Sequence, residues 1–416
     1  MSISLLSAGR RPAAGRSLRL RAWHYLRGLA GLAGALALAA CGGGMSDAPP
    51  PAAMLPPPAA PIAAAPANSL GTGTVRIGLI LPLSASGNAA AAAQAMRNAA
   101  DMALAEFAGA DLQILVKDDG GTAQGAQAAA QAAIDEGARA LLGPLFAHSV
   151  AAAGQVARNA GVPLVGFSTD ANVAARGTYL LSFLPETDVN RVVRYAASQG
   201  RRSFAALLPE NAYGSVVEAA FQQAVPAAGG RVVAIDRYPP DRAKFAESAR
   251  RLATSAGSAD AIFLPDAADA VPELVKLLAA NGVKMASVQL LGTGLWDDPR
   301  LLGDPVMAGG LFAAPDPAGY RAFSQRYRAR FNQAPVRTAS LAHDGVSLMA
   351  AIVKTQGAAG LTDAGITSPS GFNGVDGIFR FKSDGTNERG LAVMQIEAGT
   401  TRIVSPAPRS FTGAGL

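Results

Sequence analysis

The sequence predicts an α/β protein built from two lobes, and three observations lead to this fold class. From residue 74 onward, short apolar runs alternate with longer helical stretches, which is the pattern of parallel sheets with crossover helices. The alternation starts anew near residue 204 and again yields several strands. A chain of 416 residues is also long enough to bury more than one core. Two runs of this kind therefore indicate two lobes of similar build.

The first run covers residues 74–199, and its strands are continuous apolar runs. Such runs fit strands that are buried on both faces of a sheet. The predicted strands are 74–81, 112–116, 138–142, 163–166 and 179–183, and the predicted helices are 88–107, one ending near Glu136, 148–160 and 189–199.

The second run repeats this alternation and leads into a different last third. Its predicted strands are 204–208, 231–238, 261–264 and 287–291, and its predicted helices are 213–225, 241–253 and 267–280. After residue 310 we expect a strand at 310–313 and two helices at 317–331 and 338–355. Runs 377–381 and 391–396 flank the turn Ser383-Asp384-Gly385, and an Asp-Gly turn between apolar runs predicts a hairpin.

The first 40 residues predict an export signal. A basic stretch runs to Arg27, an apolar stretch covers 28–40, and small residues precede Cys41. The apolar stretch is too short to span a bilayer as an ordinary helix, and the three parts together describe a cleaved leader. Because Cys41 is the single cysteine of the chain, the site resembles a bacterial lipobox, whose thiol is lipidated. The alternative is an ordinary signal with a chance cysteine.

Residues 41–73 follow as a lipidated cysteine and a tether rich in proline and alanine. Such a composition neither buries a core nor runs as a helix, so we expect it to hold the folded body away from a membrane. Residue 42 is glycine and not aspartate. By resemblance to Gram-negative lipoproteins, this residue implies the periplasmic face of the outer membrane.

The net charge of +6 does not indicate nucleic acid as a partner. All of the excess lies in the predicted leader, whose six arginines face no acidic residue, while the whole chain has 36 basic and 30 acidic residues. Without the leader the charges balance, so charge alone implies neither nucleic acid nor anionic lipid. The single cysteine also excludes an internal disulfide or a cysteine-based zinc cluster.

The region 74–403 resembles the type I periplasmic-binding family, of the leucine-binding-protein kind. The resemblance is carried by four stretches in order: 75–104, 116–170, 207–221 and 343–350 followed by 371–399. It implies two lobes, each a parallel sheet flanked by helices, joined by three crossovers near Pro185, 305–309 and 357–360. Lobe one would be 74–185 with 310–357, lobe two 186–309 with 358–404, and 405–416 a C-terminal tail. Hinge closure about the crossovers is expected.

Within this family, the leader, the tether and the stretch 290–317 look most like the penicillin-binding-protein activators. These are outer-membrane lipoproteins that stimulate peptidoglycan synthases. The resemblance therefore implies a regulator of cell-wall synthesis whose partner is such a synthase. The alternative is a receptor that delivers amino acids of the leucine type, or similar small solutes, to the permease of an ABC importer.

In lobe one the candidate ligand-binding residues lie in loops that follow strands: Ser84 and Ser86, His148 and Ser149, and Ser168 and Thr169. The free amides at a helix start suit an anionic group such as a carboxylate, and hydroxyls add further bonds. By resemblance, 168–170 would contact the ammonium and carboxylate of a ligand. Helix capping, turn formation and, for His148, plain surface exposure are the competing explanations.

In lobe two the candidates are Asn211, Tyr213, Asp266 and Trp296, each placed after a predicted strand. Tyr213 would close over a ligand, Asp266 would meet an ammonium, and Trp296 would form an apolar wall or a partner anchor. Capping or packing explains each of them equally well.

The sequence does not favour an enzyme, a cofactor or a metal. Ser168 lacks the second glycine of a nucleophile elbow, and the histidines after the leader have no partner at ligand spacing. Gly292-Thr293-Gly294 begins like a dinucleotide loop, but Asp297 stands where the third glycine belongs. Asp118 and Asp119 are adjacent, and a cap or a solvated loop explains them better than acid–base catalysis.

Overall fold

Two large sheets and one small sheet organise the part of the chain that the structure describes. The computed structural model describes residues 68–107 and 109–411, all of which belong to one compact unit, 63–416. The predicted leader, Cys41 and most of the tether lie outside the described residues. In the described part, no helix combines the length and the apolar character needed to cross a bilayer.

The first sheet has six strands in the order β1-β3-β2-β4-β5-β6. All neighbours run parallel except β1, which pairs antiparallel with β3. The strands are β1 (Ser69–Leu70), β2 (Val75–Leu81), β3 (Leu112–Asp118), β4 (Leu141–Leu142), β5 (Leu164–Gly166) and β6 (Thr178–Leu180). The helices between them are α1 (Asn88–Glu106), α2 (Ala123–Asp135) and α3 (Ala147–Asn159).

The second sheet has seven strands in the order β16-β15-β11-β10-β9-β7-β8. Strands β7 to β11 run parallel, and β15 and β16 add an antiparallel edge. The strands are β7 (Ser203–Pro209), β8 (Arg231–Tyr238), β9 (Ala261–Phe263), β10 (Gln289–Gly292), β11 (Leu311–Ala314), β15 (Ala392–Glu397) and β16 (Thr400–Ser405). The helices are α4 (Pro185–Ser198), α5 (Ala212–Ala227), α6 (Phe245–Ser255), α7 (Val271–Ala280) and α8 (Pro299–Leu302).

The remaining elements return to the first sheet. They are α9 (Pro317–Phe331), α10 (Ala339–Gln356), α11 (Asp363–Ile366), and the three-stranded sheet of β12 (Phe372–Gly374), β13 (Gly377–Phe381) and β14 (Asn387–Arg389). Helix α10 and strand β13 pack into the apolar core on one face of the first sheet, while α2 and α3 cover its other face. The second sheet is likewise covered by α6 and α7 on one face and by α4 and α5 on the other.

The predicted architecture of two α/β lobes is therefore confirmed, because each large sheet is mostly parallel and carries helices on both faces. Two segments lie on the opposite lobe from the one expected. Strand β11 pairs with β10 and β15 in the second sheet, and the segment 358–389 joins lobe one through buried Leu361, Ile366 and Phe379. The three passages between lobes accordingly lie near 184–185, 315–316 and 390–391. The last two come later in the chain than predicted.

The predicted hairpin has a different second strand. Strand β13 pairs with β14, and the turn between them is closed by the bond from Lys382 N to Thr386 O, 2.8 Å. Residues 392–397 pair with β11 and β16 instead. The apolar strand β15 thus pairs within the second sheet, where both faces of the strand are buried. The polar strand β14 is the third strand of the small sheet.

The C-terminal segment 406–411 connects the lobes once more. It leaves β16 in the second sheet, and Arg191 of α4 holds its start through bonds to Ser405 Oγ (2.7 Å) and Pro406 O (3.4 Å). Its end, Phe411, is buried beside the small sheet of lobe one, with the Arg380 guanidinium 4.5 Å from its ring centre. The predicted C-terminal tail is therefore packed as far as Phe411.

Candidate functional site

The candidate site is formed by loops at the carboxyl ends of the parallel strands in each lobe. In open α/β sheets this edge is where ligands bind, because helix starts and loop amides face it. On lobe one the loops are 82–87, 119–122, 143–146 and 167–170, and on lobe two they are 210–211, 239–244, 264–270 and 293–298.

The first loops of lobe one are held together by carboxylates that accept from backbone amides. Asp118 Oδ1 accepts from Ser84 N at 3.2 Å and from Gly120 N at 2.9 Å, and Asp119 Oδ1 accepts from Gly121 N at 3.0 Å. The Ser84 and Ser86 side chains are exposed on this rim. The aspartate pair thus shapes the loop, as the capping alternative expects, and leaves the two hydroxyl groups at the surface.

The start of helix α3 contributes His148 and Ser149 in different ways. His148 is exposed, and its Nε2 donates to Gly121 O at 2.9 Å, which ties α3 to the neighbouring loop. Ser149 is fully buried beside Asp119, and within the described residues its Oγ and Asp119 Oδ2 have no hydrogen-bond partner of normal geometry. Burial raises the pKa of the Asp119 carboxyl. Ser149 therefore lies behind the rim and not on it.

The third loop of lobe one carries Ser168 and Thr169. Ser168 is buried and its Oγ accepts from Asp170 N at 3.1 Å, while Thr169 is exposed. Asp170 in turn caps the short turn that follows by accepting from Asn172 N at 3.0 Å. Turn chemistry accounts for Ser168, and Thr169 is the side chain that this loop presents to solvent.

Lobe two presents pairs of side chains that are already hydrogen-bonded to each other. Tyr213 and Thr293 share a hydrogen bond of 2.9 Å between their hydroxyl groups, and Tyr238 donates to Asp266 Oδ2. Asp266 also accepts from Ala267 N at 2.7 Å. Burial, and then the negative charges of Asp188 and Asp266, raise the pKa of Tyr213. These residues form one polar cluster at the edge of the second sheet.

Two lobe-two candidates have structural roles. Asn211 is the N-cap of α5 and accepts from Gly214 N at 2.8 Å. Trp296 lies fully buried in the core of lobe two, where its Nε1 donates to Leu264 O at 3.1 Å. A side chain on Gly292 would stand 2.1 Å from the Trp296 ring. Gly292 in the Gly-Thr-Gly sequence is thus explained by tryptophan packing, and Trp296 is neither a cleft wall nor a surface anchor.

Sequence reasoning missed Asp188, Tyr238 and Thr293. Asp188 lies in the first turn of α4 and accepts from Gly294 N at 2.9 Å. Burial raises the pKa of this carboxyl to about 7, although the Gly294 amide and the charge of Arg389 act against the rise. Tyr238 and Thr293 each lie at the carboxyl end of a strand. Inspecting every residue at a predicted strand end would have identified both of them. Among the described residues, no cluster of histidine, cysteine or carboxylate side chains suits a metal ion.

Solved structures of similar fold include three from bacterial ABC transporters. A protein of Rhodospirillum rubrum, assigned to a branched-chain amino acid ABC transporter, aligns with a TM-score of 0.70 at 22% identity over 79% of this chain and 99% of its own. A substrate-binding protein of Desulfitobacterium hafniense in complex with Leu gives 0.58 at 20% identity, over 79% and 99%. A solute-binding protein of Rhodopseudomonas palustris in complex with 3,4-dihydroxybenzoic acid gives 0.55 at 21%, over 80% and 96%.

A search of curated proteins found no match. The family model described as "Periplasmic binding protein" matches residues 74–401, which spans both sheets and all three passages between them. The chain therefore belongs to the periplasmic binding protein family.

Proposed function

We propose that this protein is the receptor of an ABC importer and binds a small carboxylate-bearing solute, such as an amino acid, between its lobes. The observation that carries the proposal is the pairing of two polar strand-end surfaces on two lobes that the chain joins by three passages. Such an arrangement suits a ligand that is held from both sides and enclosed when the lobes close. Of the two functions that the sequence suggests, this one agrees with the relatives of known fold.

Lobe one suits the carboxylate of the ligand. The start of α3, whose N-cap Phe146 provides no side-chain cap, directs backbone amides toward the strand-end edge, and a helix N-terminus favours negative charge. Two of the structurally similar proteins hold Leu and 3,4-dihydroxybenzoic acid. These two molecules share a carboxylate and little else, which supports the carboxylate as the common feature of the ligand class.

Lobe two suits the rest of the ligand. Asp266 is half-buried and retains acceptor capacity beyond the bonds from Tyr238 and Ala267, since an ionised carboxylate has about four lone-pair sites. An α-ammonium group would add a charge-assisted bond to it. A ligand without an ammonium group would use the Tyr213 and Thr293 hydroxyl groups instead.

The activator role has weaker support. It depends on the leader, the tether and the resemblance of 290–317, and in the structure that last stretch contributes Trp296, Met307 and Phe312 to the core of lobe two. Packing within the lobe therefore explains the most distinctive residues of the stretch without a synthase partner. The lipid anchor at Cys41 and attachment to the outer membrane remain predictions from the leader sequence.

The binding proposal is tested by thermal unfolding of the full-length chain with a panel of L-amino acids and aromatic carboxylates. We expect one chemical class to raise the melting temperature and to compact the protein in small-angle scattering. Asp266→Asn should weaken the binding of amino acids about tenfold or more while leaving aromatic carboxylates unaffected. The exposed Glu247→Gln serves as the matched control.

A second experiment addresses the partner. Affinity capture of the protein from its own cell envelope should recover an ABC permease. Recovery of a peptidoglycan synthase together with the absence of any ligand-induced stabilisation would overturn the receptor proposal in favour of the activator role.

A further inference from the structure

One aromatic side chain at the strand-end edge of lobe one has no part in an apolar core. Phe146 is the N-cap residue of α3, and its side chain is half-buried. Among the apolar clusters that the described residues form, it is neither a buried member nor a packed neighbour. A phenylalanine ring stabilises a fold most when a core buries it. Core packing therefore does not account for Phe146.

Phe146 lies where three loops of this edge meet. It follows β4, whereas Gly121 follows β3 and Ala85 follows β2, and β2 lies between β3 and β4 in the sheet. A Cβ atom on Gly121 would stand 3.2 Å from Phe146 Cε2 and 3.4 Å from Ala85 Cβ. The ring edge, the glycine and the alanine therefore come together near the end of β2, at the candidate ligand site.

A second ring lies parallel to the first. The ring centre of His148 is 5.8 Å from that of Phe146, and their planes differ by 13°. His148 is exposed, and the bond from its Nε2 to Gly121 O, 2.9 Å, fixes the imidazole. Such a bond lies in the plane of the imidazole and does not cover the face of the ring. We call Phe146 and His148 the ring pair, and it is oriented before any ligand arrives.

The side chains beside the ring pair are small and uncharged. Loops 82–87 and 143–146 contain no acidic or basic residue. Ala85 is half-buried, and Ser84 and Ser86 are exposed. A flat apolar group can therefore lie against the ring pair without taking a charged side chain out of water, which would be costly.

We propose that the ring pair determines specificity at the strand-end site, and that it selects carboxylates attached to a planar ring over aliphatic carboxylates. This inference rests on the receptor function proposed above. Aromatic rings about 4.5–7 Å apart attract each other beyond the area that they bury, and an aliphatic group of equal size lacks this attraction. The amides at the start of α3 adjoin the ring pair, so one small molecule meets both with its carboxylate and its ring.

The test is isothermal titration calorimetry of the full-length chain with benzoate and with cyclohexanecarboxylate. The two acids match in charge and nearly in size, but only benzoate is flat and aromatic. We expect benzoate to bind about tenfold more tightly. Phe146→Leu keeps an apolar side chain but removes the ring, so the preference should fall to about twofold or less.

Phe107→Leu is the matched control for Phe146→Leu. Phe107 is also a half-buried phenylalanine of lobe one, and it follows the end of the 19-residue helix α1, about 28 Å along the helix from the loop 82–87. This variant should keep the full preference for benzoate. His148→Gln retains a donor for Gly121 O and should reduce the preference about threefold.

The outcomes separate this inference from the receptor function. Equal affinity for the two ring acids, tighter binding of L-leucine than of benzoate, or an undiminished preference in Phe146→Leu would overturn the inference and leave the receptor function in place. No binding of benzoate, cyclohexanecarboxylate or L-leucine at millimolar concentration would overturn both. The first comparison uses the unaltered protein, so a variant that fails to fold does not remove the test.

Discussion

The strand-end edges of the two lobes differ in which groups form them, backbone groups on lobe one and side chains on lobe two. On lobe one the edge consists largely of backbone, with aspartates that accept from loop amides and exposed short side chains such as Ser84 and Thr169. On lobe two it consists of side-chain pairs, Tyr213 with Thr293 and Tyr238 with Asp266, above the buried Trp296. Substitutions of single side chains should therefore cost more on lobe two, while lobe one tolerates them because its backbone contacts remain.

The largest effect is expected for Trp296→Ala. The ring is fully buried and packs beside Phe312, with ring centres 6.5 Å apart, so its removal leaves a large cavity that should lower the free energy of unfolding by about 3–5 kcal/mol. Urea denaturation measures this change. The neighbouring Leu295→Ala is the control, because Leu295 is 44% exposed, and its effect should stay within about 0.5 kcal/mol. Equal effects of the two changes would refute the core role of Trp296.

Asp188→Asn should give the next largest effect, and it depends on pH. The folded-state pKa of about 7 lies above the usual 3.8, so between these values the folded protein binds more protons than the unfolded chain, and the stability of wild type falls as pH rises. The variant has no carboxyl group at this position, so its stability does not fall with rising pH for this reason. At pH 8 it should exceed wild type by about 2–4 kcal/mol, and near pH 4 the two should converge.

Urea titrations of both proteins at pH 4, 6 and 8 check this sign. Asparagine Oδ1 can still accept from the Gly294 amide, so the variant isolates the charge. A stability gap that does not change with pH would show that Asp188 is ionised throughout this range.

Tyr238→Phe sharpens the comparison between the edges. It removes the hydroxyl that donates to Asp266 and leaves one half-buried carboxylate oxygen without that partner, which should cost about 1–2 kcal/mol. On lobe one, Ser168→Ala removes one acceptor from the Asp170 amide beside solvent and should cost about half as much, roughly 0.5–1 kcal/mol. Thermal unfolding of the two variants under the same conditions compares these two losses of stability. A larger loss for Ser168→Ala would invert the contrast between the edges.

The smallest effect is expected for His148→Ala. The ring is exposed and contributes one bond to Gly121 O, so the change in the free energy of unfolding should stay below about 0.5 kcal/mol. His148→Gln, which can still donate, should match wild type. If His148→Ala weakens ligand binding more than tenfold at unchanged stability, His148 is a direct ligand contact and lobe one also depends on side chains.

The sequence predicts the first two thirds of the fold well because apolar runs mark the strands and glycines or prolines end them. Predicted strand 112–116 corresponds to β3 (Leu112–Asp118), and predicted helix 148–160 to α3 (Ala147–Asn159). The last third departs from prediction because pairing partners there are set by tertiary contact. Strand β14, Asn-Glu-Arg, has no apolar signal at all, although Asn387 and Arg389 are buried.

The candidate site shows the same limit. Position after a strand led to loops at the carboxyl edges of the two sheets, but it did not separate the exposed Thr169 from the buried Trp296. That distinction depends on which neighbour approaches, as when Gly292 admits the indole ring. Hydrogen-bond partners such as Asp266 for Tyr238 lie 28 residues apart along the chain, and no local pattern connects them.

The packed end of the chain has a practical consequence for biosensor engineering. Phe411 is buried against lobe one, while Ser405 belongs to the second sheet in lobe two. Residues 406–411 therefore form a further covalent connection between the two lobes. A fluorescent protein fused directly at residue 405 would remove this connection. The fusion would then alter the expected hinge closure that the sensor is meant to report. Reporter dyes are better attached to exposed positions on the two rims, such as Thr169 and Glu210, where they leave this fourth connection intact.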